Sequence, residues 1–145
     1  MKLSLLLWAA SFMPTPMADQ VCLATTVYLE ARNQPIAGQY AVAEVALRRR
    51  ESGRYGRTVC AVVQQPRQFA PTLVSGDTAI RNSRAWQRSW EVAERSLTLF
   101  RMPRNLRPLV VPGADHFFAV NLVSPRWAVG APIATIGDHA FYKLH

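Results

Sequence analysis

The chain has 145 residues, enough for one domain that buries a real core without metals or many disulfides. Half of the residues are hydrophobic and the mean hydropathy is close to zero, which excludes a disordered chain and points to a globular domain rather than a set of membrane spans. With 17 Lys and Arg against 9 Asp and Glu the net charge is +8, so the polyanions to weigh are nucleic acid, anionic lipid headgroups and the acidic polymers of a bacterial envelope.

At the N-terminus, Lys2 precedes the apolar run Leu3 to Met13 and then Pro14 to Ala18. The run is too short to cross a bilayer but suits the apolar region of an export signal. Residues 1–18 are therefore expected to be an export segment cleaved after Ala18, although Pro16 fits the small-residue rule at position −3 poorly. The alternative is an N-terminal strand or helix packed on the domain. Cys22 and Cys60 are the two cysteines. An even count in an exported chain favours a disulfide over two buried thiols.

From Asp19, which can cap it, a helix runs through Val21, Cys22, Leu23, Ala24, Val27, Tyr28, Leu29 and Ala31. It is apolar on nearly every face, so it belongs inside the domain. Asn33 and Gln34 end it. Pro35 suits the start of a second helix, with Ile36, Tyr40, Ala43 and Leu47 at helical spacing and Arg48, Arg49 and Arg50 in the last turn. Gly53 and Gly56 bound a turn, and Thr58 caps a short helix carrying Val59, Cys60, Val62 and Val63. Residues 67–80 read as loop. Asn82 or Ser83 opens an amphipathic helix whose inner stripe is Trp86, Trp90, Ala93, Leu97 and Phe100, spaced for core packing rather than sugar stacking. Beyond Met102 five prolines rule out long helices, and His116 to Val120 and Ala140 to Tyr142 read as short strands. The expected fold is α+β: helical in the first two-thirds, with a small sheet in the last third. Residues 19–145 form its single domain.

Between Asp19 and Arg32 there is one ionisable carboxyl, Glu30. Burial makes a carboxyl costly to ionise and raises its pKa, so it can remain protonated and donate to a leaving oxygen. The alternative is a structural carboxylate paired with Arg32 or Arg48. His116, His139 and His145 with Glu30 could in principle form a zinc site, but no close-spaced ligand motif supports one. No nucleophile elbow, dinucleotide fingerprint or P-loop is present, so no cofactor and no nucleotide chemistry are expected. A two-carboxylate hydrolase would need Asp77, Asp115 or Asp138 opposite Glu30. A transglycosylase would not, because a hydroxyl of the sugar itself attacks the anomeric carbon.

The segment Cys22 to Gln39 resembles the SleB-like cell-wall hydrolase family, which includes spore-cortex-lytic enzymes. Tyr28, Glu30, Ala31, Arg32, Gly38 and Gln39 match one family segment, and Arg48 and Arg49 loosely match a helix end. Val59, Cys60, Val62, Val63, Gln65, Pro66, Gln68 and Phe69 match the next. Gly113, Ala114, His116 and Phe117, then Pro125 and Trp127, then Ile136, Gly137, His139, Phe141 and Tyr142 follow in order. Asn33 and Gln34 depart from the family's usual Gly-Glu.

The resemblance implies cleavage of peptidoglycan between N-acetylmuramic acid and N-acetylglucosamine, by lytic transglycosylation or lysozyme-like hydrolysis, with Glu30 as the acid. Gln68, Phe69, His116 and Tyr142 are the expected substrate contacts, and Trp127 and His139 are expected to be structural. The cysteines matched by the family segments support the Cys22–Cys60 pairing. The expected partner is peptidoglycan rather than nucleic acid, with electrostatic contact to anionic envelope polymers and a monomeric state. Expected locations are the periplasm or cell envelope, or release by a phage onto its host's wall. Two rivals stay open: a metal-dependent peptidoglycan amidase, and a non-catalytic basic module that binds nucleic acid or anionic membrane.

Overall fold

The apolar stretch around Val21 to Ala31 is the centre of the molecule. In a computed structural model that describes residues 1–145, it forms most of helix α2 (Thr15–Ala31), whose side chains are buried on nearly every face. The other elements pack around it. Helix α1 is Leu3–Ala10, α3 is Ile36–Ser52, α4 is Val59–Val63, α5 is Ala70–Leu73 and α6 is Ser83–Phe100. A 3-10 turn at Arg104–Leu106 leads to strands β1 (His116–Ala119), β2 (Ala134–Ile136) and β3 (His139–Tyr142). No helix is long and apolar enough to cross a membrane.

Local chemistry accounts for several boundaries. The Thr58 side chain accepts from the Ala61 N–H and starts α4, and the Asn82 side chain accepts from the Ala85 N–H and starts α6. Gly53 closes α3 at φ +69°, a left-handed conformation open to glycine. Pro35 stands just before Ile36, where its lost N–H costs the helix nothing.

Two expectations are corrected. Asp19 does not cap α2, which begins at Thr15. It is buried one turn inside, where its carboxylate accepts from the Val59 N–H at 2.8 Å and pairs with Arg50 at 3.0 Å. It thus satisfies the first free N–H of α4, a different helix. The inner face of α6 is Ala85, Ser89, Val92, Ala93, Ser96 and Phe100, and its small residues Ala85, Ser89, Ala93 and Ser96 let it approach α2 closely. Trp86 and Trp90 lie half-buried on its flank, Trp86 at 6.1 Å edge-on to Tyr28.

The N-terminal segment is helical. Leu3 and Ala10 are buried, and the Leu3 and Ser4 N–H groups donate to the Thr78 and Gly76 carbonyls. Leu5, Trp8 and Phe12 face solvent, and residues 15–18 are the first turn of α2. Cleavage after Ala18 would therefore cut within that helix.

Cys22 of α2 and Cys60 of α4 form a disulfide with Cα atoms 5.2 Å apart. The sheet is antiparallel in the order β1-β3-β2, with β3 fully buried at its centre. Sequence pattern missed β2, whose three residues alternate in burial but are too few to establish a period. Gly137, at φ +55°, and Asp138 make the two-residue β2–β3 turn. Gln34 clamps this turn, accepting from the Asp138 N–H at 2.9 Å and donating to its carboxylate at 3.0 Å. Only an amide can do both. The glutamate usual in the resembled family would face Asp138 with a like charge.

The loop-rich third is held to the helices by a second buried carboxylate. Glu44 of α3 accepts from the Val110 and Val111 N–H groups at 2.8 and 2.9 Å, and burial raises its pKa. Glutamine offers one acceptor where two N–H groups need satisfying, and its own NH₂ would face an N–H. Glu44→Gln is expected to lower unfolding free energy by about 1–3 kcal/mol in urea denaturation, with little change in slope.

Candidate active site

Glu30 lies in the last turn of α2, where the central helix emerges from the core, and is half-buried. Its Oε1 accepts from the Ala70 N–H at 2.6 Å. Ala70 begins α5, a single helical turn inside a stretch whose Pro71 reads as loop; proline is in fact well suited to a first turn. Burial pushes the Glu30 pKa up to about 7, against the pull of the Ala70 bond. Neither expected structural partner reaches it. Arg32 lies over the Tyr28 ring at 5.0 Å, and Arg48 bonds the Ala114 carbonyl. No ion pair involves Glu30.

The carboxyl opens on a groove of about 570 Å³, within the usual size of a ligand cleft. Arg49, Arg67, Gln68, His116, Phe118, Trp127 and His139 are among the residues that line it, together with residues 122–125. Arg67 is the one non-glycine residue at positive φ, 61°, and turns the chain into Gln68. Glu30 is the only carboxyl in the lining. Asp77 pairs with Lys2, Asp138 is held by Gln34, and Asp115 accepts from the Leu144 and His145 N–H groups.

The groove explains the run Arg48-Arg49-Arg50. Successive residues on a helix point about 100° apart, so three like side chains serve three places. Arg48 goes to Ala114 and Arg50 to Asp19. Arg49 is buried, donates to the Asp115 carbonyl at 2.7 Å and to the Gln68 Oε1 at 3.1 Å, and lies over Tyr55 and Phe69. It holds Gln68 in place. The run reads as a generic helix-end charge in sequence, and only the buried environment singles out Arg49.

Gln68 and His116 are thus brought together with Glu30, but Phe69 and Tyr142 are not. Phe69 is fully buried beneath the groove, 5.9 Å from Phe117. Tyr142, also buried, stacks on Phe118 and meets Trp127 edge-on, supporting the wall from behind. Their aromatic character suits core and glycan site alike, so sequence cannot separate the two uses. Conversely, Trp127 and His139, expected to be structural, line the groove. The buried His139 Nδ1 has no partner within the protein, and burial lowers the pKa of this ring. His116 is also lowered, chiefly by burial, and its Nδ1 lies 2.9 Å from Asp115. A proton on that nitrogen leaves Nε2 as an acceptor. The histidines, cysteines and carboxyls form no group of three that could hold a metal ion.

Residues 33–142 match the model of the cell wall hydrolase family. The chain belongs to that family. The match begins just beyond Glu30 and takes in every other residue that lines the groove. A spore cortex-lytic enzyme of Bacillus cereus is 30% identical over 126 residues, and one of Oceanobacillus iheyensis is 39% identical over 132. Each alignment covers 86% of this chain, which spans less than half the length of those relatives, 44% and 41%. The catalytic domain of the germination-specific lytic transglycosylase SleB from Bacillus anthracis superposes with a TM-score of 0.66 at 27% identity, covering 86% of this chain and 93% of that one. The B. cereus SleB catalytic domain gives 0.63 at 28%, covering 86% and 89%. This family member therefore shares the fold of those domains almost end to end.

Proposed function

We propose that this chain cuts the glycan strand of peptidoglycan between N-acetylmuramic acid and N-acetylglucosamine by lytic transglycosylation, with Glu30 as acid and then base. The observation that carries this is the solitary carboxyl in the groove: unpaired, with a pKa near 7, and with no second carboxylate across from it. Protonated Glu30 gives its proton to the glycosidic oxygen as the bond to the anomeric carbon breaks. The 6-hydroxyl of the muramic acid ring then attacks that carbon and closes a 1,6-anhydro ring, and its proton passes to the Glu30 carboxylate. The acid is restored. Between the two transfers the Ala70 N–H supports the carboxylate. The names of the relatives, a cortex-lytic enzyme and a lytic transglycosylase, support the same chemistry.

Gln68, His116, His139 and Trp127 are proposed to position the sugars, Trp127 through its apolar ring and the others through hydrogen bonds. Action outside the cytoplasm is supported by the Cys22–Cys60 disulfide. Residues 1–18, with their exposed apolar side chains, are the part suited to direct export to the envelope, phage release being the other route.

Mass analysis of the fragments released from purified sacculi tests the reading. Anhydro-muramyl ends are expected. Reducing ends would replace transglycosylation with hydrolysis, and free peptides without glycan cleavage would point to an amidase.

A further inference from the structure

Arg49 borders more than the groove. On the far side of that side chain lies a second hollow of about 290 Å³, lined by Arg49, Arg54, Tyr55, Gly113, Lys143 and His145 among others. Arg49 is a wall of both cavities, and His116 of the groove meets rings of the hollow at 6.2 Å (Tyr55) and 5.9 Å (His145). The two spaces are therefore neighbours across one buried guanidinium.

The hollow is cationic beyond what the fold uses. Arg54 and Lys143 are exposed and have no ion-pair partner. The side-chain carboxylate in its lining, Asp115, is held by two backbone N–H groups and His116, and its single charge is set against Arg48, Arg49, Arg54 and Lys143. Gly113 gives the Lys143 stem room: a Cβ there would come within 3.3 Å of Lys143 Cδ. Elsewhere, Arg104 and Arg107 are both spent on Glu51.

We propose that this hollow is a subsite for the acidic peptide that branches from muramic acid, with Arg54 and Lys143 pairing with its carboxylates while the glycan lies beside Glu30. The inference rests on the glycan-cleaving reading given above, which supplies a ligand that needs both spaces at once. The hydroxyl and N-acetyl groups of the sugar rings are neutral, whereas the peptide carries the carboxylates that cations would pair with.

The test is titration of the catalytically blocked Glu30→Gln protein with three soluble ligands: a disaccharide bearing the peptide, the same disaccharide with the peptide carboxylates amidated, and the bare disaccharide with its lactyl carboxyl capped as an amide. The acidic form is expected to bind about three- to tenfold tighter than the other two, the range that two exposed ion pairs supply. That preference should shrink with salt, as exposed pairs are screened over about 8–10 Å near physiological ionic strength. Adding Arg54→Gln and Lys143→Gln is expected to abolish it while leaving bare-disaccharide affinity unchanged. Equal affinity for the acidic and amidated ligands, or a preference that survives the double substitution, would overturn the subsite. Absence of binding by all three would instead overturn the glycan reading, and this subsite with it.

Discussion

Replacing Glu30 with glutamine is expected to lower the rate of wall cleavage by at least about a hundredfold, the scale of a positioned general acid. The amide keeps an oxygen for the Ala70 N–H but has no proton to give to a leaving glycosidic oxygen. Turbidity loss of sacculi, with fragments counted by mass, measures it. A variant retaining more than about one-hundredth of the wild-type rate would remove Glu30 from the mechanism. The pH dependence follows from the same side chain. With its pKa at about 7, the active protonated form should fall away about tenfold per pH unit above that value. Stability carries an imprint of the same sign. The folded pKa lies above the ordinary 4.5, so the fold binds this proton more tightly than the unfolded chain does. Its contribution is greatest in acid and is lost as pH rises from about 4.5 through about 7. Thermal scans should therefore show wild type and Glu30→Gln alike in acid and the variant the more stable above neutrality. Loss of activity with a gain of stability is what distinguishes a catalytic carboxyl from a structural one.

Removal of the Cys22–Cys60 disulfide is the substitution with the largest expected cost to the fold. The cysteines are 38 residues apart, and closing a loop of that length stabilises by about 4 kcal/mol in the chain-entropy account. The bond joins α2, the centre of the core, to α4, whose N-terminus the Asp19 carboxylate also holds. Urea denaturation of the double Cys→Ala protein should show a loss near that size, and reductant should lower the wild-type midpoint in the same direction. Thiol titration of denatured, unreduced protein checks the premise. Two free thiols there would disprove the pairing.

Much of the helical part is legible in the residues themselves because its determinants are local. Thr58, Asn82 and Gly53 mark their helix ends through contacts no more than a turn away, and the apolar character of α2 on all faces dictates that it lies inside. A solitary carboxyl on such a helix is conspicuous in sequence for the same reason, and the family pattern adds the order of the groove segments. Tertiary structure alone decided which side chains face the groove. Arg49 is separated from Arg48 and Arg50 only by rotation about the α3 axis, and it matters because Asp115 and Gln68, 66 and 19 residues away, meet it there. Phe69 and Trp127 are both aromatic residues in loop-rich sequence, yet one is floor and the other wall. Asp19 looks like a cap for its own helix but serves α4, since a buried carboxylate goes to whichever unpaired N–H the packing brings within reach. Spacing and capping act within a few residues and can be read in order along the chain. The direction of a side chain, and hence whether Glu30 has a partner or an open groove before it, depends on groups far away in sequence that meet only when the core closes.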